Sequence, residues 1–411
     1  MTERRPFLPG YALFAAMLAS AGLPIYIHAP KVYVDEYGVS LAALGAVLFG
    51  LRLFDVVQDP VLGWVSTRLR DYRRSCVFVA GVVMTVAMIG LFAVAPPVAP
   101  LLWFAITLTL LFTGFSFLTI SFYAQGVEAA DRIGAGGHVR LAAWRETGSL
   151  LGISVAAALP TALAALTGAP FALFAAGFAG LAVLAVAAMW QEWRVSKVSP
   201  AAAGGLGPVL ADGVTRRLLL IALINATPVA VSSTLFLFFV ESRLGAPGWE
   251  GPLLLLFFLA AALSAPLWAR AARAVGTKRV LLFGMGLAIV SFGFAALLGN
   301  GDIVAFAVIC LASGAALGAD MTLLPAIFAR RMSVIAPEAG QAFGLWSFVS
   351  KFTLAFAAVT LLPLLDATGF QSGGENSGTA LMTLTLLYAL VPCILKLVAI
   401  ALLAATPLKE D

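Results

Sequence analysis

Apolar stretches repeat along the whole chain, broken by short polar clusters. They lie near 8–30, 40–66, 75–96, 101–126, 141–164, 170–190, 214–241, 251–272, 279–298, 302–329, 339–365 and 380–406. At about 1.5 Å rise per residue, each is long enough to cross a hydrocarbon layer of about 30 Å as an α-helix. The pattern predicts an all-α integral membrane protein with twelve transmembrane helices. One interruption is longer than the others: Gln191, Glu192, Arg194, Lys197, Ser199 and Pro200 lead into a stretch rich in alanine and glycine. This predicts two six-helix bundles, 1–190 and 214–411, joined by a linker over 191–213.

The polar clusters carry an orientation. Arg68, Arg70, Arg73 and Arg74 follow the second span, Arg132 and Arg140 the fourth, Arg270, Arg273, Lys278 and Arg279 the eighth, and Arg330 and Arg331 the tenth. With Arg194, Lys197, Arg216 and Arg217 around the linker, and Arg4, Arg5 and Lys409 near the ends, all fall on one side. The other side offers Lys31 and Arg243. The positive-inside rule therefore predicts a multi-pass protein of the plasma (inner) membrane with both termini in the cytoplasm. The first apolar run lacks a small-residue cleavage site and reads as a retained helix.

Composition narrows the class. Apolar residues make up 62% of the 411 positions before 39 glycines are added, against about 45–50% with glycine included in soluble domains. Charged residues are 11%, about half the usual ~25%. Twelve spans leave no room for a soluble catalytic domain. Cys76, Cys310 and Cys393 form no metal-ligand spacing, and the net charge of +5 sits in loop clusters with no basic face for nucleic acid. No phosphate loop, zinc signature or nucleophile motif is present, which excludes an enzyme or a single-chain ATP-driven pump and predicts no cofactor.

Charges at membrane depth cost at least about 2.5–3.5 kcal/mol each, so each needs a partner, water or a substrate path. The second span carries Arg52, Asp55 and Asp59 at i, i+3 and i+7, one stripe of a helix with Gln58 beside it. Two carboxylates one turn apart suit a hard cation such as Na⁺ or Li⁺; they could equally share a proton, since repulsion between close carboxylates favours protonating one. Arg52 could form a static ion pair with one acid, which leaves the other to be explained. Lys351, midway along the eleventh span, is a further candidate partner.

A second group spans the fourth and fifth runs: Tyr123, Glu128, Asp131, Arg140, Arg145 and Glu146. Glu128, Arg140 and Glu146 fit gate or loop ion pairs, whereas Arg145 could point into a cavity. Asp320, after Gly314 and Gly318, is a second-tier intramembrane acid whose nearest cations in sequence are Arg330 and Arg331. Lys396 reads as snorkelling or packing, Met84 and Met88 as packing, His28 as a cavity-rim residue and His138 as a loop residue.

The halves also resemble each other. Asp59-Pro60-Val-Leu-Gly63-Trp64 before a basic loop parallels Ala265-Pro266-Leu-Trp268 before another, as in parallel-repeat transporters. The acid is absent from the second copy, so the shared architecture does not require it.

The run Arg52-Leu-Phe-Asp55-Val-Val-Gln-Asp59-Pro60-Val-Leu-Gly63-Trp64-Val-Ser66 resembles the second-helix signature of glycoside-pentoside-hexuronide:cation symporters, the melibiose permease group of the major facilitator superfamily. Tyr123-Ala-Gln-Gly-Val-Glu128, then Arg140-Leu-Ala-Ala-Trp-Arg145-Glu146 and Gly152, is similar to the same family's fourth-to-fifth helix pattern. The resemblance implies a major facilitator fold and alternating access. It implies a coupling cation (Na⁺ or H⁺, with Li⁺ possible) at Asp55 and Asp59, Lys351 near it, and Arg52 and Arg145 by the cavity. It also implies a monomer importing a small organic solute.

The chain departs from that family's sugar carriers. Ser20 and Thr119 stand in the helices where those carriers place sugar-gripping acids, Thr67 replaces a loop Asp, and Ala329-Arg330-Arg331 replaces an acidic run. The same fold serves lysolipid symporters, so the solute is sugar-like or amphiphilic; the missing sugar acids and the aromatic row Phe112, Phe115, Phe117, Phe122 and Tyr123 keep the amphiphile open, although such aromatics more often pack than bind. A non-transporting receptor or assembly factor on this scaffold is the alternative from another class.

Overall fold

The computed structural model describes residues 5–164, 166–193, 206–336, 339–371 and 376–408. Arg4, Arg194, Lys197 and Lys409 of the charge argument, most of the expected linker and the side chain of Lys31 lie outside the described residues. In chain order the helices are α1 Leu8–Ser20, α2 Leu23–Asp35, α3 Leu41–Arg68, α4 Arg73–Phe92, α5 Pro100–Ile133, α6 Gly137–Ala164, α7 Pro170–Met189, α8 Leu206–Ala211, α9 Gly213–Phe238, α10 Glu250–Val275, α11 Thr277–Ala295, α12 Ile303–Ile335, α13 Gly340–Asp366, α14 Gly378–Thr385 and α15 Val391–Ala405. Among the described residues, nine helices are long and apolar enough to cross a membrane. The 28-residue α3 and 27-residue α13 are of spanning length but are not among the nine.

Prolines divide two of the expected spans. The first run breaks at Ala21 and Gly22, where Gly22 leaves helical geometry and α2 restarts with Pro24 in its first turn, a position that needs no N–H donor. The last run widens into a π-turn over Leu386–Leu390 before Pro392 opens α15. Proline cannot donate to the carbonyl four residues back and clashes with it, so the local turn opens. Elsewhere the helices outlast the apolar runs. α5 continues through Glu128, Asp131 and Arg132 until Gly134 takes φ 87°, and α12 continues through Arg330 and Arg331. Hydropathy marks where apolar surroundings end, while a helix carries on until its hydrogen-bond ladder is stopped.

The chain forms two compact units. Met1–Val209 with Ala329–Phe348 make the first, and Leu210–Phe328 with Val349–Asp411 the second. In the first, α1 lies against α6 because Gly152 lacks a side chain; a Cβ there would sit 2.5 Å from the Ala16 carbonyl oxygen. Tyr11, Phe14, Phe122 and Trp193 fill the adjoining core, with Phe14 and Phe122 centroids 4.9 Å apart. In the second, Phe239 stacks on Tyr388 at 4.2 Å, and Gly318 brings α12 against α10, where a Cβ would lie 2.7 Å from the Ala261 carbonyl oxygen. Met84 and Met88 are fully buried in the first core, in keeping with packing.

Candidate functional site

α3 begins at Ser40, whose hydroxyl accepts from the Ala43 N–H and so caps the helix. From there the stripe runs inward. Asp55, Gln58 and Asp59 are buried and Arg52 is half-buried. Gln58 Nε2 donates to Asp55 Oδ1 at 2.6 Å, and Gln58 Oε1 accepts from Thr113 Oγ1 of α5 at 3.1 Å. The amide therefore bridges a carboxylate on its own helix to a neighbouring helix and fixes the rotamer of both.

Asp59 is fixed from another direction. Its Oδ2 accepts from Ser347 Oγ of α13 at 2.5 Å. Three glycines make that approach possible. A Cβ on Gly63 would lie 2.9 Å from the Gly340 carbonyl oxygen and 3.0 Å from Gly344 Cα, and one on Gly344 would lie 2.8 Å from the Asp59 carbonyl oxygen. Contacts that short are closed to any larger residue, so the two backbones touch and the short serine side chain reaches the carboxylate. Two buried carboxylates one turn apart, oriented by an amide and a hydroxyl, offer oxygen ligands to a hard cation or an acceptor pair to a proton. Lys351 lies one turn beyond Ser347 on α13, is half-buried and belongs to the second unit.

The second group converges in the first unit. The Arg145 guanidinium lies 3.6 Å from the centroid of the Tyr123 ring, and its Nε is 2.8 Å from Glu146 Oε1. The Tyr123 hydroxyl donates to the same carboxylate oxygen at 3.0 Å. Arg145 and Glu146 are both buried, and the Phe343 ring of α13 lies 5.3 Å from Tyr123. The result is a charge-balanced polar cluster with one aromatic face, suited to holding hydroxyl or carboxylate groups of a solute.

Glu128 and Arg140 part company. Glu128 pairs with Arg70 at 3.5 Å and Arg73 at 3.4 Å, and Arg73 also donates to the Gln125 side-chain carbonyl. Arg140 is exposed. The partners of the acid are thus two arginines that the sequence assigned to topology alone, because i-to-j pairing across helices leaves no trace in spacing. His138, expected in a loop, lies in the first turn of α6 beside Asp131 at 3.0 Å.

In the second unit Asp320 pairs with Lys396 of α15 rather than with a basic residue further along its own helix, and of the two readings of Lys396, snorkelling or packing, the structure has it buried among helices. The lysine also donates to Asn225 Oδ1 of α9 at 2.7 Å. Sequence reasoning missed Thr113, Ser347 and Asn225. Only Ser347 left a signal, standing four residues before Lys351 and three after Gly344 on one helical face. Of the aromatic row, Phe112 and Phe122 are buried, and Phe122 packs on Tyr11 and Phe14 in the core, the packing role of the two weighed for them. Among the described residues, no three His, Cys, Asp or Glu side chains gather as a metal cluster.

A family model described as MFS/sugar transport protein matches residues 8–410. The chain belongs to that family. It is a multi-pass membrane transporter, not an enzyme. The fold is similar to a crystal structure of a bacterial homologue of the iron transporter ferroportin in the outward-facing state, at 15% identity over 96% of this chain and 99% of that one, with a TM-score of 0.69. A second structure of such a homologue, with soaked iron, gives 14% identity, 97% and 99% coverage and a TM-score of 0.71. At that identity the likeness shows the major facilitator fold alone. No relative is found among curated protein sequences.

Proposed function

We propose that this MFS transporter is a cation-coupled symporter of the glycoside-pentoside-hexuronide type, with Asp55 and Asp59 as its coupling-ion site. The observation that carries the reading is the pair itself: two buried carboxylates one turn apart, accepting hydrogen bonds from the Gln58 amide and the Ser347 hydroxyl. Burying two acids on one apolar helix is costly, and a bound Na⁺ or proton offsets that cost. In this reading α3, α13 and the broken first run of α1 and α2 cross the membrane with the nine more apolar helices, which gives twelve spans, and both termini face the cytoplasm of a plasma-membrane monomer. The solute is a small polar organic molecule, sugar-like in its hydroxyls, gripped by Tyr123, Arg145 and Glu146. An amphiphilic solute has less support, since Phe112 and Phe122 of the aromatic row are spent on core packing. Cation binding neutralises the α3 acids and so shifts the balance between the outward-open and inward-open states.

A melt of the purified protein tests the cation site without knowledge of the solute. Sodium should raise the wild-type midpoint at pH 8 relative to choline, and Asp59→Asn should lose the share of that rise that the α3 pair supplies. A wild-type protein that ignores both Na⁺ and Li⁺ rules out alkali-ion coupling at this pair. Proton coupling would then be the surviving form, checked by pH-driven uptake in vesicles.

A further inference from the structure

The second unit holds an ionic cluster that the α3 site does not use. Lys396 Nζ donates to Asn225 Oδ1 at 2.7 Å and to Asp320 Oδ2. Only 5% of the lysine side chain and 8% of the aspartate side chain are exposed. Both line a cavity of about 30 Å³ between α9, α10, α11, α12 and α15, room for roughly two waters.

The hydrogen-bond balance of the cavity wall decides what fits. Ser232 Oγ donates to the Pro228 carbonyl at 3.0 Å, Ser313 Oγ to Ile309 at 2.6 Å and Cys393 Sγ to Ile289 at 3.5 Å. Those donors are spent on backbone, and what remains of these groups are lone pairs. Asp320 Oδ1 is buried with no hydrogen-bond partner. An unsatisfied carboxylate oxygen in such a place is costly, so the complementary occupant is a donor or a cation. Among the lining side chains, only Asp320, Lys396 and Cys393 titrate.

We propose that Asp320, with Asn225, binds a monovalent metal cation in exchange for a proton of Lys396. Hard oxygen ligands suit an alkali ion, and a single carboxylate falls short of what a divalent ion takes. Charge fixes the exchange ratio. The resting cluster of one carboxylate and one ammonium is neutral. When the cation takes the place of the ammonium on Asp320, an N–H bond of Lys396 breaks, its proton passes to cavity water and then solvent, and the nitrogen keeps the electron pair. The cluster of carboxylate, cation and neutral amine is again neutral. Binding without proton release would strand a net positive charge among apolar helices. This site is separate from the α3 pair and does not rest on it.

The test uses full-length protein carrying Asp55→Asn and Asp59→Asn, so that the α3 acids contribute nothing. In weakly buffered detergent solution at pH 8, NaCl or LiCl is added against choline chloride at equal ionic strength, and released protons are read with a pH-sensitive dye. We expect about one proton per chain with Na⁺ or Li⁺, none with choline, and none after adding Asp320→Asn. Adding Asp320→Asn and Lys396→Gln together removes both charges at nearly constant shape; it should keep a monodisperse peak and the helical circular dichroism yet release nothing. Proton release that survives this neutral pair, or no release from the Asp55→Asn/Asp59→Asn protein, overturns the proposal. Each site is read by its own variant, the α3 pair by the share of the sodium-induced rise lost in Asp59→Asn and the second unit by proton release lost in Asp320→Asn, so the two sites stand or fall separately.

Discussion

Two buried acidic sites in this transporter are built on different plans. In the first unit, Asp55 and Asp59 share one helix and take hydrogen bonds from neutral side chains, Gln58 and Ser347. In the second, Asp320 is paired directly with the Lys396 ammonium, and the three members Asn225, Asp320 and Lys396 come from α9, α12 and α15. An amide or hydroxyl donor orients a carboxylate without cancelling its charge. One already holding an ammonium gives it up only by exchange. Local geometry follows the same division: the first site depends on backbones brought together by Gly63, Gly340 and Gly344, the second on long side chains reaching across a small cavity.

The largest effect should come from breaking the second site on one side only. Lys396→Met leaves a buried carboxylate uncompensated and should cost about 3–5 kcal/mol in denaturant unfolding, while Lys396→Met with Asp320→Asn should recover most of it. If the double variant is no better than the single, the pair is not coupled and the contrast between the sites fails. Next is Ser347→Ala, which removes a hydrogen bond to a charged group. It should weaken the sodium-induced rise in melting midpoint by an affinity loss equivalent to about 1.5–3 kcal/mol, with little effect on unfolding of the second unit.

Gly63→Val forces α3 away from α13 and should cost about 1–3 kcal/mol of stability by overpacking. The sodium response should fall with it, because Ser347 retreats from Asp59. A stability loss with an intact sodium response would separate the glycine contact from the site. The smallest effect sharpens the comparison within one family motif. Arg140→Gln, at an exposed position, should stay within about 0.5 kcal/mol of wild type, whereas Arg73→Gln, which strips Glu128 and Gln125 of a buried partner, should cost more than that.

The α3 stripe was legible because everything in it lies within eight residues: the i, i+3, i+7 spacing puts Arg52, Asp55 and Asp59 on one face whatever the fold. Its neighbour Thr113 was not, since a hydroxyl on an apolar helix has the same sequence signature whether it bonds its own backbone or a side chain on another helix, and Ser347 was marked only by the face it shares with Gly344 and Lys351. Lys396 shows the limit most clearly. Near the end of an apolar chain a lone lysine is cheapest when it snorkels, and only the position of Asp320, 76 residues earlier, makes burial the better outcome. Glu128 was expected at a gate, but its partners Arg70 and Arg73 were counted as topology markers because charge bias and ion pairing use the same residues.

By itself the sequence determined the helical membrane architecture, since apolar runs of spanning length leave the backbone no other way to satisfy its hydrogen bonds in lipid. It also determined that α3 is the costliest helix to place there, because three of its charges lie on one stripe. The tertiary structure alone decided which donors meet those acids and that Asp320 and Lys396 neutralise each other. Those outcomes depend on which helix faces which, at what rotation and how closely. That information is set by packing among segments far apart in the chain, and no local spacing encodes it.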